Sequence, residues 1–126
     1  MLSDAEVGAS IAVKDLEAAK GWYDKTLGLT VEREAPDGIY YRCGGGTVMF
    51  IYPSSFAGTA QDTVAGFRVD DLEREMEELR SRGVTFEEYD MPGVKTENGI
   101  ATFPSGRGAW FKDPDGNTFA LTQQEM

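Results

Sequence analysis

The chain has 126 residues, of which 40% are hydrophobic and 11% aromatic, and its formal net charge at pH 7 is −10. These values are typical of one globular domain with its own core and argue against a disordered chain. The acidity disfavours nucleic acid as a partner, because its phosphates would be repelled, and no segment approaches the ~20 apolar residues of a membrane helix. The first residues form neither the basic nor the apolar region of a leader peptide, so we expect a cytoplasmic protein without membrane contact.

The residue types exclude several kinds of catalytic site. The sequence contains no histidine, so it lacks the commonest metal ligand and the commonest general base. Sites of the Ser-His-Asp and Cys-His types are therefore excluded. The one cysteine, Cys43, cannot form a disulfide within the chain, and we interpret it as a small hydrophobic residue of a strand.

A short repeat divides the sequence into two similar halves. Val13-Lys14-Asp15-Leu16-Glu17 returns in the second half as Val69-Asp70-Asp71-Leu72-Glu73. In each half an apolar strand precedes this segment and a helix follows it. The repeat predicts two modules, at about 5–53 and about 62–124, within a single domain of residues 1–126.

The first half is predicted to contain one strand, one helix and three further strands. Asp15 is suited to the N-cap of the helix, and Gly28 to its C-terminal end. Between them an apolar stripe recurs at helical spacing. The stripe comprises Leu16, Ala19, Tyr23 and Leu27, and the strands are predicted at Val7–Val13, Leu29–Glu34, Ile39–Cys43 and Val48–Tyr52.

The second half repeats this order, with a tight turn before its last strand. A helix with Leu72, Met76 and Leu79 on its apolar face is predicted to stop at Gly83. Asp113-Pro114-Asp115-Gly116-Asn117 is typical of a hairpin turn. Strands are predicted at Val64–Val69, Val84–Tyr89, Ala109–Lys112 and Thr118–Thr122, and long loops at Pro53–Asp62 and Asp90–Arg107. The second loop is interpreted either as a lid over a binding site or as an ordinary connection.

Several segments of this sequence resemble the vicinal oxygen chelate superfamily, which comprises glyoxalase, bleomycin-resistance and extradiol-dioxygenase-like domains. The most specific segment, Ala109 to Thr118, is similar to the family's F-x-D-P-D-G-N signature. The resemblance implies an α+β fold in which two βαβββ modules form a curved mixed sheet around a cavity, with helices on the convex face. The other matching segments are Trp22-Tyr23, Leu27-Gly28-Leu29 and Val69-Asp70-Asp71-Leu72.

The resemblance also implies where a metal would be held, and those positions lack donors. Metal-dependent members place ligands at positions that correspond here to Gly8, Val64 and Ala120, with a fourth near Phe50. Zinc, iron and manganese need histidine, cysteine or carboxylate donors. We therefore expect no metal and no other cofactor.

Strand alternation around these positions predicts the residues that line the cavity. Side chains two residues apart share one face of a sheet, which places small and aromatic residues together. Either Tyr40 or Tyr41 faces the cavity, because neighbours in a strand point to opposite faces. The alternative to ligand binding is core packing for Trp110 and solvent exposure for Lys112. The predicted ligand-binding residues are Ser10, Tyr41, Phe50, Tyr52, Arg68, Trp110, Lys112 and Thr122.

Two functions of different classes follow from these residues and the resemblance. The first is a metal-independent protein that binds or sequesters a small molecule, similar to the bleomycin-resistance branch, whose members are homodimers that hold the ligand between aromatic walls. The alternative is a metal-free lyase or isomerase that uses a pocket carboxylate or tyrosine. A third possibility is a vestigial pocket with a functional dimer surface. The carboxylates available for catalysis are Glu32, Glu34, Glu88 and Asp90.

Overall fold

The computed structural model describes residues 1–124 of the chain. The chain divides into two compact units, of which unit 1 is Met1–Gly58 and unit 2 begins at Thr59. Each unit combines one α-helix with one mixed sheet, so the α+β class is confirmed. Within residues 1–124, no helix is long and apolar enough to cross a membrane.

Unit 1 has the predicted order of one strand, one helix and three strands. Its sheet has the order β1-β4-β3-β2, with β1 parallel to β4 and the other pairs antiparallel. Single turns of 3-10 helix lie at Leu2–Asp4 and Gly44–Gly46. The elements are β1 Ala9–Val13, α1 Leu16–Lys25, β2 Thr30–Ala35, β3 Gly38–Arg42 and β4 Val48–Pro53.

Helix α1 begins and ends where the sequence predicts. The Asp15 carboxylate accepts hydrogen bonds from the backbone N–H groups of Glu17 at 3.0 Å and Ala18 at 3.3 Å. These bonds satisfy donors that the first turn of a helix leaves unpaired. At the other end Gly28 adopts a φ of +67°, a conformation that glycine takes without strain.

Unit 2 repeats this plan with additional strands. Its sheet has the order β5-β10-β9-β8-β7-β6, and β10 pairs in parallel with β5 and antiparallel with β9. The first and last strands of each unit are therefore parallel neighbours. The elements are β5 Thr63–Arg68, α2 Leu72–Ser81, β6 Asp90–Met91, β7 Val94–Glu97, β8 Ile100–Phe103, β9 Gly106–Lys112 and β10 Thr118–Gln124.

Two predictions about the middle of unit 2 are wrong. The segment Val84–Tyr89 is not a strand, because within residues 1–124 it forms a single bridge, between Phe86 and Phe111. The segment Asp90–Arg107 is not a loop, since it contains β6, β7, β8 and the start of β9. Short turns at Gly93 and at Asn98-Gly99, all with positive φ, fold it back on itself as hairpins.

The tight turn between β9 and β10 is confirmed. The Asp113 N–H donates to the Asn117 carbonyl at 2.9 Å, and the Gly116 N–H donates to the Asp113 carbonyl at 3.0 Å. The Asp113 carboxylate is buried and accepts hydrogen bonds from the N–H groups of Asp115 and Asn117 and from the Asn117 side-chain amide. These bonds fix the turn that sets the β9–β10 register.

Candidate functional site

Each sheet has one face that its helix covers and one face that is free of the helix. In unit 2 the Gln123 side chain accepts a hydrogen bond from the Leu72 N–H at the start of α2, which identifies the covered face of β10. In unit 1 the Tyr41 hydroxyl lies 3.5 Å from the Lys20 carbonyl of α1, which identifies the covered face of β3. We call the opposite surfaces the helix-free faces.

The helix-free face of unit 1 carries an aromatic ladder, Tyr40, Phe50 and Tyr52. The Tyr40 and Phe50 ring centroids are 4.5 Å apart, and the Phe50 and Tyr52 rings stack at 5.7 Å with an angle of 10°. The Arg33 guanidinium lies over the Tyr40 ring at 4.3 Å from its centroid. All three rings are half-buried, so they expose part of their π-surface.

A glycine next to the ladder allows Phe50 to take its position. A Cβ atom at Gly38 would lie 2.6 Å from Phe50 Cε1 and would also collide with the Ile51 carbonyl oxygen. On β1, the register partners of Phe50 and Tyr52 are Ser10 and Ala12, whose side chains are small. The strand next to the ladder therefore carries only small side chains at these two positions, which leaves space beside the rings.

The helix-free face of unit 2 is built around Trp110. The Trp110 ring makes edge-on contacts with Tyr89 at 5.5 Å and Phe103 at 6.3 Å between centroids. Its Cη2 atom lies 3.6 Å from the Cβ position of Gly108. The hairpins of the 90–107 segment therefore contribute to the packing that holds this ring.

Small residues surround Trp110 on the neighbouring strands. Ala120 on β10 is its register partner, and Gly66 on β5 is the partner of Ala120. In the adjacent row Gly108 pairs with Thr122, and Thr122 pairs with Arg68. This face is therefore a floor of small side chains, with the Trp110 ring and its aromatic neighbours on one side and an arginine at its edge.

Seven of the eight predicted ligand-binding residues lie on the helix-free faces, and their role in binding remains a prediction. Lys112, at the end of this face, lies 3.8 Å from the Glu87 carboxylate. The residues on the face of unit 1 are Ser10, Phe50 and Tyr52, and those on the face of unit 2 are Arg68, Trp110, Lys112 and Thr122.

The prediction for Tyr41 is wrong, because its side chain lies under α1. Tyr41 is fully buried, and its ring centroid is 5.9 Å from that of Tyr23. Burial raises the pKa of the Tyr41 hydroxyl, and the nearby Asp24 carboxylate raises it further. Tyr40, its neighbour, takes the position on the helix-free face.

Sequence patterns did not choose Tyr40 over Tyr41, and they did not identify Arg33, Tyr89 or Phe103. A signal for Tyr40 was present, because Tyr40-Tyr41-Arg42 and Trp110-Phe111-Lys112 share an aromatic-aromatic-basic pattern on the third strand in each unit's pairing order. For the other three residues we find no such signal, since the 84–107 segment was assigned incorrectly and Arg33 follows a register shift in β2.

The residues at the positions where the family resemblance implies metal ligands do not fit a metal. Gly8 precedes β1, Phe50 lies on β4, Val64 on β5 and Ala120 on β10, and none offers a donor atom. Residues 1–124 contain no group of three or more histidine, cysteine, aspartate or glutamate residues that could hold a metal ion. These side chains therefore give no basis for a metal-dependent step.

The carboxylates considered for catalysis mostly have structural contacts. Glu32 forms an ion pair with Arg42. Glu88 accepts hydrogen bonds from the Thr96 hydroxyl at 2.6 Å and the Gly99 N–H at 3.0 Å, and these bonds hold its pKa below the ordinary value. A general acid in an apolar cavity would need a raised pKa instead. Glu34 and Asp90 are exposed.

A cleft of about 650 Å³ in unit 2 lies beside α2 rather than on the helix-free face. Four carboxylates and two arginines line it together with one valine, and no aromatic ring contributes. Its polarity distinguishes it from a typical small-molecule site, which is mostly apolar. The lining residues are Arg68, Val69, Asp70, Asp71, Arg74, Glu75 and Glu78.

Comparison with known families agrees with this architecture. The model of the Glyoxalase/Bleomycin resistance protein/Dioxygenase superfamily matches residues 7–121. The chain belongs to this superfamily. No curated protein sequence matches it.

Solved structures of superfamily members share the fold over nearly the whole chain. TnmS3, an antibiotic binding protein from Streptomyces sp. CB03234, is 27% identical, with a TM-score of 0.70 and coverage of 96% of this chain and 98% of that one. A bleomycin resistance determinant encoded on transposon Tn5 is 17% identical, with a TM-score of 0.72 and the same coverage. The fosfomycin resistance protein FosX from Listeria monocytogenes, in complex with Mn(II) and sulfate, is 14% identical, with a TM-score of 0.70 and coverage of 97% and 91%. The neighbours therefore include antibiotic-binding and metal-containing members.

Proposed function

We propose that this protein binds an aromatic small molecule on its helix-free faces without the help of a metal. The aromatic ladder of Tyr40, Phe50 and Tyr52 is the observation that carries the proposal. Half-buried rings on a sheet face offer both apolar area and π-surface to a flat ligand. Binding of this kind requires no histidine and no catalytic group.

The charges near the rings favour binding over catalysis. Among the described strand residues of the helix-free faces, we find no carboxylate without an ion-pair partner, since Glu32 pairs with Arg42. A metal-free lyase or isomerase would need an acid or base close to the bound ligand. Glu88 does not suit the role of a general acid, because the Thr96 hydroxyl lowers its pKa and a general acid in an apolar cavity needs a raised one.

The comparisons support the same class of function. TnmS3, at 27% identity, is described as an antibiotic binding protein, so an antibiotic or a metabolite of similar chemistry is a suitable ligand. FosX was solved with Mn(II), but Gly8, Val64 and Ala120, where the family resemblance implies metal ligands in this chain, have no side-chain donor atoms. The proposal is therefore closer to sequestration than to chemical modification.

We further propose that the protein is a cytoplasmic homodimer. The support is the resemblance to the bleomycin-resistance branch, in which two subunits share each cavity. Mass photometry or light scattering of the purified protein would give twice the monomer mass of 13.8 kDa. A monomer at micromolar concentration would contradict this part of the proposal alone.

A native mass spectrum of the purified protein, recorded without chelator, tests the function directly. We expect an additional small-molecule mass and no metal. A stoichiometric divalent metal that survives dilution would contradict metal independence and would favour an enzyme.

Substitution in the ladder tests where an aromatic ligand binds. Tyr52→Ala should weaken binding of any such ligand about two- to tenfold, because one stacking surface is lost. Phe56→Ala is the control, since Phe56 is 75% exposed in the loop after β4. Equal weakening by both substitutions would argue against the ladder as the binding surface.

A further inference from the structure

One row of residues crosses the helix-free face of unit 2 from an aromatic ring to a positive charge. Gly108 on β9, Thr122 on β10 and Arg68 on β5 are consecutive register partners. Since neighbouring strands lie about 4.8 Å apart, the two ends of the row are about 10 Å apart. The Trp110 ring leans over the Gly108 end, with its Cη2 atom 3.6 Å from the Cβ position.

The floor of this row is low enough for a flat molecule. Gly108 has no side chain, and the adjacent row contains only Gly66 and Ala120 before it reaches Trp110. A planar ligand can therefore lie against the Trp110 ring and extend over Thr122 towards β5. The length of the row matches one aromatic ring system with a short substituent.

The charge on this face is opposite to that of the whole chain. The sequence has 22 acidic and 12 basic residues, yet the strand residues of β5, β9 and β10 on this face include Arg68 and Lys112 and no carboxylate. Glu87 lies 3.8 Å from Lys112, which partly neutralises that lysine. Arg68 is exposed and has no ion pair among residues 1–124.

We propose that this row binds an aromatic compound that carries a negatively charged group, with the ring against Trp110 and the anion at Arg68. The inference rests on the proposed function and names its ligand class. A guanidinium can donate two parallel hydrogen bonds to a carboxylate, which fixes the ligand in one orientation. The Thr122 hydroxyl, midway along the row, can hydrogen-bond a polar ring substituent.

The acidic cleft beside α2 differs from the row, because its carboxylates would repel an anionic ligand. Among the described residues β5 pairs only with β10, so Arg68 lies at the edge of the sheet and also borders the cleft. Asp70, Asp71, Glu75 and Glu78 line that cleft and would repel an anion. Arg74 borders the cleft but does not belong to the row, so it provides a control with the same change of charge.

The test is calorimetric titration of the full-length protein with three indole probes that differ in charge. These are indole-3-acetate, indole-3-acetamide and tryptamine, which are anionic, neutral and cationic at pH 7. We expect the acetate to bind about tenfold or more tightly than the acetamide, because the guanidinium then pairs with an opposite charge through two oxygens instead of with one neutral carbonyl. Tryptamine should bind most weakly of the three.

Substitutions then assign the preference to Arg68. Arg68→Gln should reduce acetate affinity to that of the acetamide, Arg68→Lys should restore part of it, and Arg74→Gln should leave it unchanged. Trp110→Ala should weaken all three probes. Thermal melts of each variant confirm that it remains folded.

The outcomes separate this inference from the proposed function. If the acetamide binds in a Trp110-dependent way and the acetate binds no more tightly, the anion inference is wrong while the proposed function stands. An acetate preference that survives Arg68→Gln, or that Arg74→Gln removes equally, also overturns the inference. If none of the probes binds, the inference fails together with the aromatic site of unit 2.

Discussion

The two units place the same kinds of residue on their third strands but build different surfaces from them. Tyr40 and Trp110 lie on the helix-free faces, while their neighbours Tyr41 and Phe111 are fully buried on the covered faces. The register partner of Tyr40 on the next strand is Phe50, whereas the partner of Trp110 is Ala120. Unit 1 therefore has a ladder of rings, and unit 2 has the Trp110 ring at one side of a floor of small residues.

The glycines of the two third strands show how each ring is accommodated. At Gly38 a Cβ atom would collide with Phe50, a ring from the neighbouring strand. At Gly108 a Cβ atom would make only ordinary contact with Trp110, a ring from the same strand. The repeat thus preserves the backbone and the covered core, while the helix-free faces differ in which strand supplies the large side chain.

The largest expected loss of stability comes from substitutions on the covered faces rather than on the helix-free faces. Tyr41→Ala and Phe111→Ala should each lower the free energy of unfolding by about 3–5 kcal/mol, because each leaves a cavity in a packed core. Tyr40→Ala should cost clearly less, since Tyr40 is half-buried. Urea unfolding measures all three, and equal losses for Tyr40→Ala and Tyr41→Ala would contradict the assignment of their faces.

An intermediate effect is expected at the turns that follow the third strands. The N–H of Cys43 donates to the Thr47 carbonyl at 2.8 Å, as that of Asp113 donates to Asn117, but only Asp113 supplies a buried carboxylate. Asp113→Ala should cost about 1–3 kcal/mol because it leaves buried N–H groups unsatisfied.

Thr47→Ala is the matched substitution in unit 1. It removes only the exposed hydrogen bond from the Thr47 hydroxyl to the Gly44 carbonyl, so it should cost about 0.5–1 kcal/mol or less. Chemical denaturation compares the two variants directly. Similar losses would mean that the Asp113 hydrogen bonds do not distinguish the two turns.

The smallest effect concerns the β7–β8 hairpin, which unit 1 does not have. The pKa of Glu88 lies below its ordinary value of 4.5, chiefly because the Thr96 hydroxyl donates to the carboxylate. The stabilisation is therefore present above pH 4.5 and is lost as the pH falls through the folded-state pKa. Glu88→Gln should make the acid-side decrease of the unfolding midpoint shallower, whereas Glu97→Gln on the same hairpin is the control. An unchanged profile would contradict the role of the carboxylate.

The sequence predicted the repeated parts of the fold because their signals are local. Asp15 caps α1 as expected, and Asp71 caps α2 in the same way, since an N-cap depends on a side chain and the next few N–H groups. The turn from Asp113 to Asn117 was equally evident from proline and glycine spacing. The strands within residues 90–107 were missed because they are two to four residues long outside β9, too short for a periodic signal.

The sequence predicted most residues of the candidate site, but the register between strands and the packing of α1 decided which side chains face it. Alternation placed Phe50, Tyr52 and Trp110 on the helix-free faces, but it could not choose between Tyr40 and Tyr41. That choice depends on which face α1 covers, a contact between elements that are distant in sequence. The contact between the Tyr89 and Trp110 rings could not be predicted from the sequence, because it also joins elements that are distant in sequence.

The sequence alone determined the fold class, the two-fold repeat and the N-cap of α1, because each depends on residue identity or on neighbours within one turn. Tertiary structure decided which aromatic rings are buried and how Arg68, Thr122 and Gly108 align. It also decided that the charged residues of β5, β9 and β10 on the helix-free face of unit 2 are basic although the whole chain is acidic. These properties arise from pairing between strands, and a shift of one residue in register would exchange the two faces of a strand.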